Sequence, residues 1–210
     1  MIRSFGVIAL VGLLAGNAVV ARGAIHPGSS GAWKKVTKCP AWPGGSGLLD
    51  DGDFHLAPEP MPSERYSKGQ IFANGWKVAK RTVDFVGTYW PGPSGVCSVD
   101  LDGDNVGAVT HAGFRVTPSA AYTVTFQFSG AGQCPPTVKT MMISAAGQSQ
   151  QFSWDTSNNN DAEHGVFQQM TWGFTAPAST LRADLKFSSL DPPGSGCGPV
   201  IAAISVTQNQ

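Results

Sequence analysis

Charge is scarce in this chain. Of 210 residues only 13% are Asp, Glu, Lys or Arg, and 14 basic side chains balance 14 acidic ones to a formal net charge of zero. An average soluble domain carries roughly 25% charged residues. Without a basic excess or stripe, the electrostatic footprint of a nucleic-acid binder is missing. With 41% hydrophobic residues and no long like-charge run, the composition excludes disorder as well. Cys-x-x-Cys does not occur and no His stands at zinc-ligand spacing to a Cys, which argues against a zinc site. Gly-x-Ser-x-Gly and His-Glu-x-x-His are also absent, and His26, His55, His111 and His164 are scattered, so no hydrolase motif is present. No stretch keeps a helical period for three turns, and no Asn-x-Ser/Thr sequon occurs.

What the chain does have is an apolar start, four cysteines and abundant turn residues. Arg3 precedes an apolar run from Phe5 to Gly16, and Val19-Val20-Ala21 follows. That order fits a secretory signal peptide over residues 1–21, with cleavage after Gly23 as the close competitor to cleavage after Ala21. The run is shorter than the roughly 20 apolar residues of a membrane span, and no second such run follows. The expectation is a secreted protein, extracellular, periplasmic or cell-wall associated, and free of the membrane after cleavage. In that oxidising compartment Cys39, Cys97, Cys134 and Cys197 read as two disulfides. Three pairings are open on arithmetic alone. Cys134 and Cys197 both lie in Gly/Pro turns that suit one end of a sandwich, which favours Cys134–Cys197 and leaves Cys39–Cys97 by exclusion.

With 26 Gly and 15 Pro, turns are frequent, and between them the period is two. Tyr122, Val124, Phe126 and Phe128 alternate with Thr123, Thr125, Gln127 and Ser129; Leu181, Ala183, Leu185 and Phe187 alternate with Arg182, Asp184, Lys186 and Ser188. Val166, Met170, Trp172 and Phe174 share one side of a third strand. Weaker candidates over 76–80, 82–87, 96–101, 108–116, 138–145, 150–154 and 201–207 bring the total to about ten, the pattern of an all-β sandwich, a jelly roll. Residues 22–46 are polar with little pattern and read as an N-terminal extension; residues 47–210 form the domain. Asp155 to Gly165 is a polar surface loop, and Trp76 and Trp172 are expected in the core.

Several phrases in order carry a resemblance. They are Gly47-Leu48-Leu49-Asp50-Asp51-Gly52-Asp53-Phe54, Gly75-Trp76-Lys77-Val78, Val83-Asp84-Phe85-Val86-Gly87-Thr88-Tyr89-Trp90, Ser98-Val99-Asp100-Leu101-Asp102-Gly103, Ala121-Tyr122-Thr123-Val124-Thr125-Phe126, Trp172-Gly173-Phe174-Thr175-Ala176 and Gly198-Pro199-Val200-Ile201. Together, over about residues 47–207, they resemble the bacterial choice-of-anchor C proteins, grouped with the plant cell-wall proteins catalogued as domain of unknown function six-four-two. The resemblance implies a galactose-binding-like jelly roll and an extracellular, non-catalytic protein that holds cell-wall or matrix polysaccharide. It also supports pairing Cys197, before Gly198-Pro199, with Cys134. The family's C-terminal anchor signal is not found before Gln210, so release is expected. Where related jelly rolls use a Glu and an Asp on a structural calcium, this chain has His55 and Ala202. Calcium takes six to eight oxygens, so that site is expected to be weak or absent, and no cofactor is expected.

Sugar recognition needs aromatic faces for the apolar side of the ring and polar groups for its hydroxyls. Tyr89 and Trp90, with Asp84 and Arg81 nearby in sequence, and Trp154 beside the polar loop, are the candidates. Asp100, Asp102 and Asp104 imitate the start of a calcium loop but lack its central Gly and terminal Glu, leaving a weak cation candidate at most. His55 and His111 read as surface or half-buried strand residues. Two other functions compete with polysaccharide binding: a structural matrix protein with protein partners and no sugar site, and a glycosidase whose carboxylates, Asp84, Asp100 and Glu163, meet in space.

Overall fold

A computed structural model describes residues 38–60, 62–159 and 166–210, all within one unit, Lys35–Gln210. The signal segment 1–21, most of the extension and the loop residues Glu163 and His164 lie outside the described residues. Strand follows strand: β1 (Ser63–Ser67), β2 (Ile71–Ala73), β3 (Trp76–Lys80), β4 (Thr82–Val86), β5 (Ser98–Asp100), β6 (Ala108–Arg115), β7 (Ala121–Gly130), β8 (Val138–Ala145), β9 (Gln148–Asp155), β10 (Gln168–Thr175), β11 (Arg182–Ser189) and β12 (Pro199–Gln208). They form two six-stranded sheets of order β1-β4-β5-β12-β7-β10 and β2-β3-β6-β11-β8-β9, every pairing antiparallel. This is the jelly-roll sandwich that the alternation predicts.

Two strands, β1 and β2, were not expected. β1 is mostly exposed and polar and β2 has three residues, so neither shows a pattern long enough to read. Elsewhere the alternation holds: Tyr122, Val124, Phe126 and Phe128 are buried, as are Ala183, Leu185 and Phe187 opposite exposed Arg182, Asp184 and Lys186. Leu181 and Val166, assigned to inward positions, are exposed because each lies before its strand begins. His111 is fully buried rather than superficial, edge-on to Trp76 with ring centroids 5.2 Å apart. His55 stands in a loop, not on a strand.

Aromatic rings fill the space between the sheets. Phe54 reaches in from the loop before β1 and meets Phe72, Trp76 and Phe85 at centroid distances of 5.8, 5.6 and 5.7 Å. Its backbone is left-handed (φ 62°), a conformation costly for a residue with a Cβ, so the buried ring must offset that cost. Trp76 is fully buried and donates its indole N–H to the Asp51 carbonyl at 2.9 Å, tying the same loop to β3. Gly52 allows the loop to press on β12, since a Cβ there would meet the Ile204 carbonyl at 1.9 Å. The two disulfides pair Cys39 with Cys97 and Cys134 with Cys197, the pairing favoured from the turns. Trp172 is core as expected.

Trp76 combines full burial among aromatic rings with an indole hydrogen bond to the loop before β1. Replacing it by Ala should cost about 3–5 kcal/mol of unfolding free energy, measured by urea denaturation. A loss below about 1 kcal/mol would mean that the ring does not hold the loop to the sheet.

Candidate functional site

Side chains on a strand alternate faces, so the outward face of the first sheet is set by the register of its inward one. Val83, Phe85, Val99 and Ile201 point into the core and are essentially fully buried. Their neighbours point out. In register across β1, β4, β5, β12 and β7 stand Arg65, Asp84, Asp100, Val200 and Ser129. The next row is Ser63, Val86, Ser98, Ala202 and Gln127. Gln127 is buried on this face, and loops stand over the neighbouring part of the sheet.

Those loops wall a cleft of about 170 Å³. Asp84, Asp100 and Val200 line it from the sheet; Tyr89 and Trp90 come from the β4–β5 connection, Gln133 from the β7–β8 connection and Cys197 from the β11–β12 connection. The Cys134–Cys197 disulfide ties the last two connections together, so it holds one wall. Trp90 is buried against Val86, Ala131 and Val200, and its carbonyl accepts the Ser98 hydroxyl at 2.8 Å. Its indole N–H is buried without a partner. Tyr89 is 58% exposed, so its ring is free to meet a ligand.

Asp84 is clamped by a residue that sequence reasoning missed. Arg65 donates Nε to Oδ1 at 2.7 Å and Nη2 to Oδ2 at 2.8 Å, a two-pronged contact matched to a carboxylate. Arg65 also bonds Asp104 through Nη1. No sequence signal pointed to it, because β1 has no readable alternation. Asp100 differs from Asp84. Burial pushes its carboxyl well above the usual aspartate value, and the Asp102 and Asp84 charges add to the rise. Its Oδ1 accepts the Asp102 and Gly198 N–H groups at 2.9 Å each.

The remaining candidates lie elsewhere. Arg81 sits exposed in the β3–β4 turn, outside the cleft lining. Trp154, at the end of β9, is half-buried against Phe128 and donates to the Asn159 side chain at 3.0 Å. Asp100, Asp102 and Asp104 part company: the first lines the cleft, the second is fully buried and the third is exposed on Arg65. Among the described residues, the only His/Cys/Asp/Glu group whose ligand atoms all lie within 4.8 Å is Asp51, Asp53 and His55. There the His55 Nδ1 lies between the two carboxylates, 2.6 Å from Asp53 Oδ1 and 3.2 Å from Asp51 Oδ1. Asp53 also accepts the Trp42 N–H at 2.6 Å and the Ser46 hydroxyl at 3.2 Å. Burial pushes Asp53 up, but Trp42 and His55 outweigh it and hold the carboxyl below its ordinary value. An imidazole nitrogen in the middle of the carboxylates does not fit a hard cation that takes only oxygens.

Fold and cleft together define a jelly-roll domain that presents a loop-walled recess on one sheet face. Over residues 47–207 the chain matches the family described as "Protein of unknown function (DUF642)", and it belongs to that family. No curated protein matches it. Among solved structures it is similar to a family 35 carbohydrate binding module from an environmental isolate, with 13% identity, a TM-score of 0.47, and coverage of 70% of this chain and 93% of that one. It is also similar to CBM35 from Paenibacillus barcinonensis, with 14% identity, a TM-score of 0.44, and 70% and 99% coverage. A third is TmCBM61 in complex with β-1,4-galactotriose, with 15% identity, a TM-score of 0.44, and 78% and 99% coverage. Each likeness concerns the course of the chain, not its chemistry.

A carboxyl whose pKa is raised by folding binds its proton more tightly in the native state. Its contribution to stability is full below the unfolded value and is lost as pH rises through the folded one. For Asp100 that loss should begin above about pH 4, and Asp100→Asn should flatten it in urea unfolding measured across pH. An unchanged slope would show that Asp100 is ionised in the fold.

Proposed function

We propose that the protein is a secreted, non-catalytic module that holds one residue or chain end of an extracellular polysaccharide in the Tyr89–Asp84 cleft. The observation that carries this reading is the juxtaposition, in one recess, of an exposed aromatic ring and a carboxylate fixed by Arg65. The ring face of Tyr89 suits the apolar side of a pyranose, and Asp84 accepts hydroxyls with lone pairs that Arg65 leaves free. At about 170 Å³ the cleft is smaller than the roughly 300–1,000 Å³ of drug-sized pockets, which suits one ring rather than an oligosaccharide. Paired disulfides accord with an oxidising compartment. Among the described residues no helix is long and apolar enough to cross a membrane.

One observation favours a second reading. Asp84 and Asp100 are direct partners across β4 and β5, one paired through both oxygens with Arg65 and the other biased by burial toward its acid form. Such a split is the arrangement of a glycosidase pair. Against it, Oδ1 of Asp100 is already occupied by two main-chain N–H groups.

An array of pectins, β-glucans and exopolysaccharides tests both. Tyr89→Ala and Asp84→Asn should each weaken binding roughly tenfold, about 1–2 kcal/mol, with the fold intact. No binding at any pH overturns the proposal and favours a structural matrix role; reducing-sugar release abolished by Asp100→Asn would favour catalysis.

The same reading takes the domain to lack the structural calcium that the resemblance implies for related jelly rolls, with His55 in place of a carboxylate. Calcium should leave the thermal midpoint unchanged. A calcium-dependent rise that His55→Glu does not alter would contradict this.

A further inference from the structure

Lys139 occupies a place that the alternation of β8 gives to apolar residues. Met141, Ile143 and Ala145 follow it on the inward face, and its side chain is fully buried. The amine donates to the main-chain oxygens of Cys134 at 2.8 Å and Cys197 at 2.5 Å, which fixes where it points. Across from it, 4.0 Å away, is Oδ2 of Asp191, also fully buried. Oδ1 of Asp191 accepts the Thr140 N–H at 2.7 Å, so the carboxyl is oriented, while Oδ2 has no hydrogen-bond partner. Asp102 completes the group. It is fully buried and acts electrostatically on both Asp191 and Lys139.

This is a poor salt bridge. Charge-assisted N–H···O contacts run at about 2.7–2.9 Å, and taking such charges out of water costs several kcal/mol per ion. Burial instead drives each partner toward its neutral form. It lowers the Lys139 amine, raises Asp102, and pushes Asp191 up to about 6, with the Asp102 carboxylate adding to that rise. An amine held beside a carboxyl in a dry site, each biased toward its neutral form, is the reactant pair for an amide, and fixed proximity supplies part of the activation that such a reaction needs in water.

We propose that Lys139 and Asp191 become joined by an intramolecular isopeptide bond once the domain has folded, with Asp102 moving the protons. The Nζ lone pair attacks Cγ of protonated Asp191 and forms the N–C bond. Asp102 takes a proton from the nitrogen and delivers it to the departing hydroxyl. The C–O bond breaks and one water leaves; nothing is oxidised or reduced and no co-reactant is needed. The product exchanges two buried ionisable groups for one amide. It locks β8 to the segment after β11, next to the Cys134–Cys197 disulfide.

The test is mass spectrometry of the mature protein after unfolding, reduction, alkylation and tryptic digestion. The bond predicts no cleavage at Lys139 and a branched product joining residues 116–182 to residues 187–210. Its mass should fall short of the two peptides' sum by one water, about 18 Da. Dehydration at Asp102-Gly103 would instead appear on a linear peptide. Lys139→Arg and Asp191→Ala should abolish the branched product, and Asp102→Asn should slow its appearance after refolding at least tenfold. Cleavage at Lys139 with full-mass linear peptides, from protein with both disulfides formed, overturns the proposal. A branched product that forms as fast in Asp102→Asn as in the unaltered protein overturns the role of Asp102.

Discussion

The cross-strand register of β4, β5 and β12 is the constraint on which the rest of the site depends. Val83, Phe85, Val99 and Ile201 are committed to the core. Because side chains alternate, that commitment puts Asp84, Asp100 and Val200 on the opposite face in one row. A one-residue slip in β4 or β5 would send a carboxylate into the aromatic core and an aromatic or aliphatic group into the cleft. The core thus selects the site geometry without touching a ligand.

Above that row, loops supply what a flat sheet cannot. The β4–β5 connection brings Tyr89 and Trp90 over the sheet, with Trp90 as buried anchor and Tyr89 as exposed face. The opposite wall is built by two connections far apart in sequence and joined by Cys134–Cys197. The main-chain oxygens of those same cysteines hold the Lys139 amine. Wall, crosslink and buried polar cluster therefore share atoms, and a change at Lys139 reaches the cleft through Cys197. Near β3, Phe54 and Trp76 fix the N-terminal loop, where the His55 ring lies between two carboxylates.

Much of this was legible from residue order, and the exceptions have physical causes. Long alternating strands such as β7 and β11 declare themselves because one face is apolar and the other polar. β1 and β2 did not, being short and largely exposed. Tyr89, Trp90 and Asp84 were singled out from residue chemistry and adjacency, and they line one cleft. Arg65 was missed because its link to Asp84 is a pairing between strands 19 residues apart. Arg81 was chosen on sequence proximity, but it turns away with the β3–β4 corner. The Asp100, Asp102 and Asp104 run looked like one motif; strand alternation and a turn send the three carboxyls to a cleft, a core and the solvent.

By itself the sequence determined the all-β class, the cysteine pairing favoured by turn chemistry, and the core places of Trp76 and Trp172. These follow from local periodicity and composition, which each segment carries with it. Tertiary structure alone decided which polar groups meet. Arg65 finds Asp84, His55 finds Asp51 and Asp53, and Lys139 finds Asp191 and Asp102. Some of these partners are neighbours in sequence, but whether a buried charge has a partner depends on register and on the packing of two sheets. That is why the low charge count noted at the outset understated its importance: several of these few ionisable groups lie inside, where pairing is costly to lose.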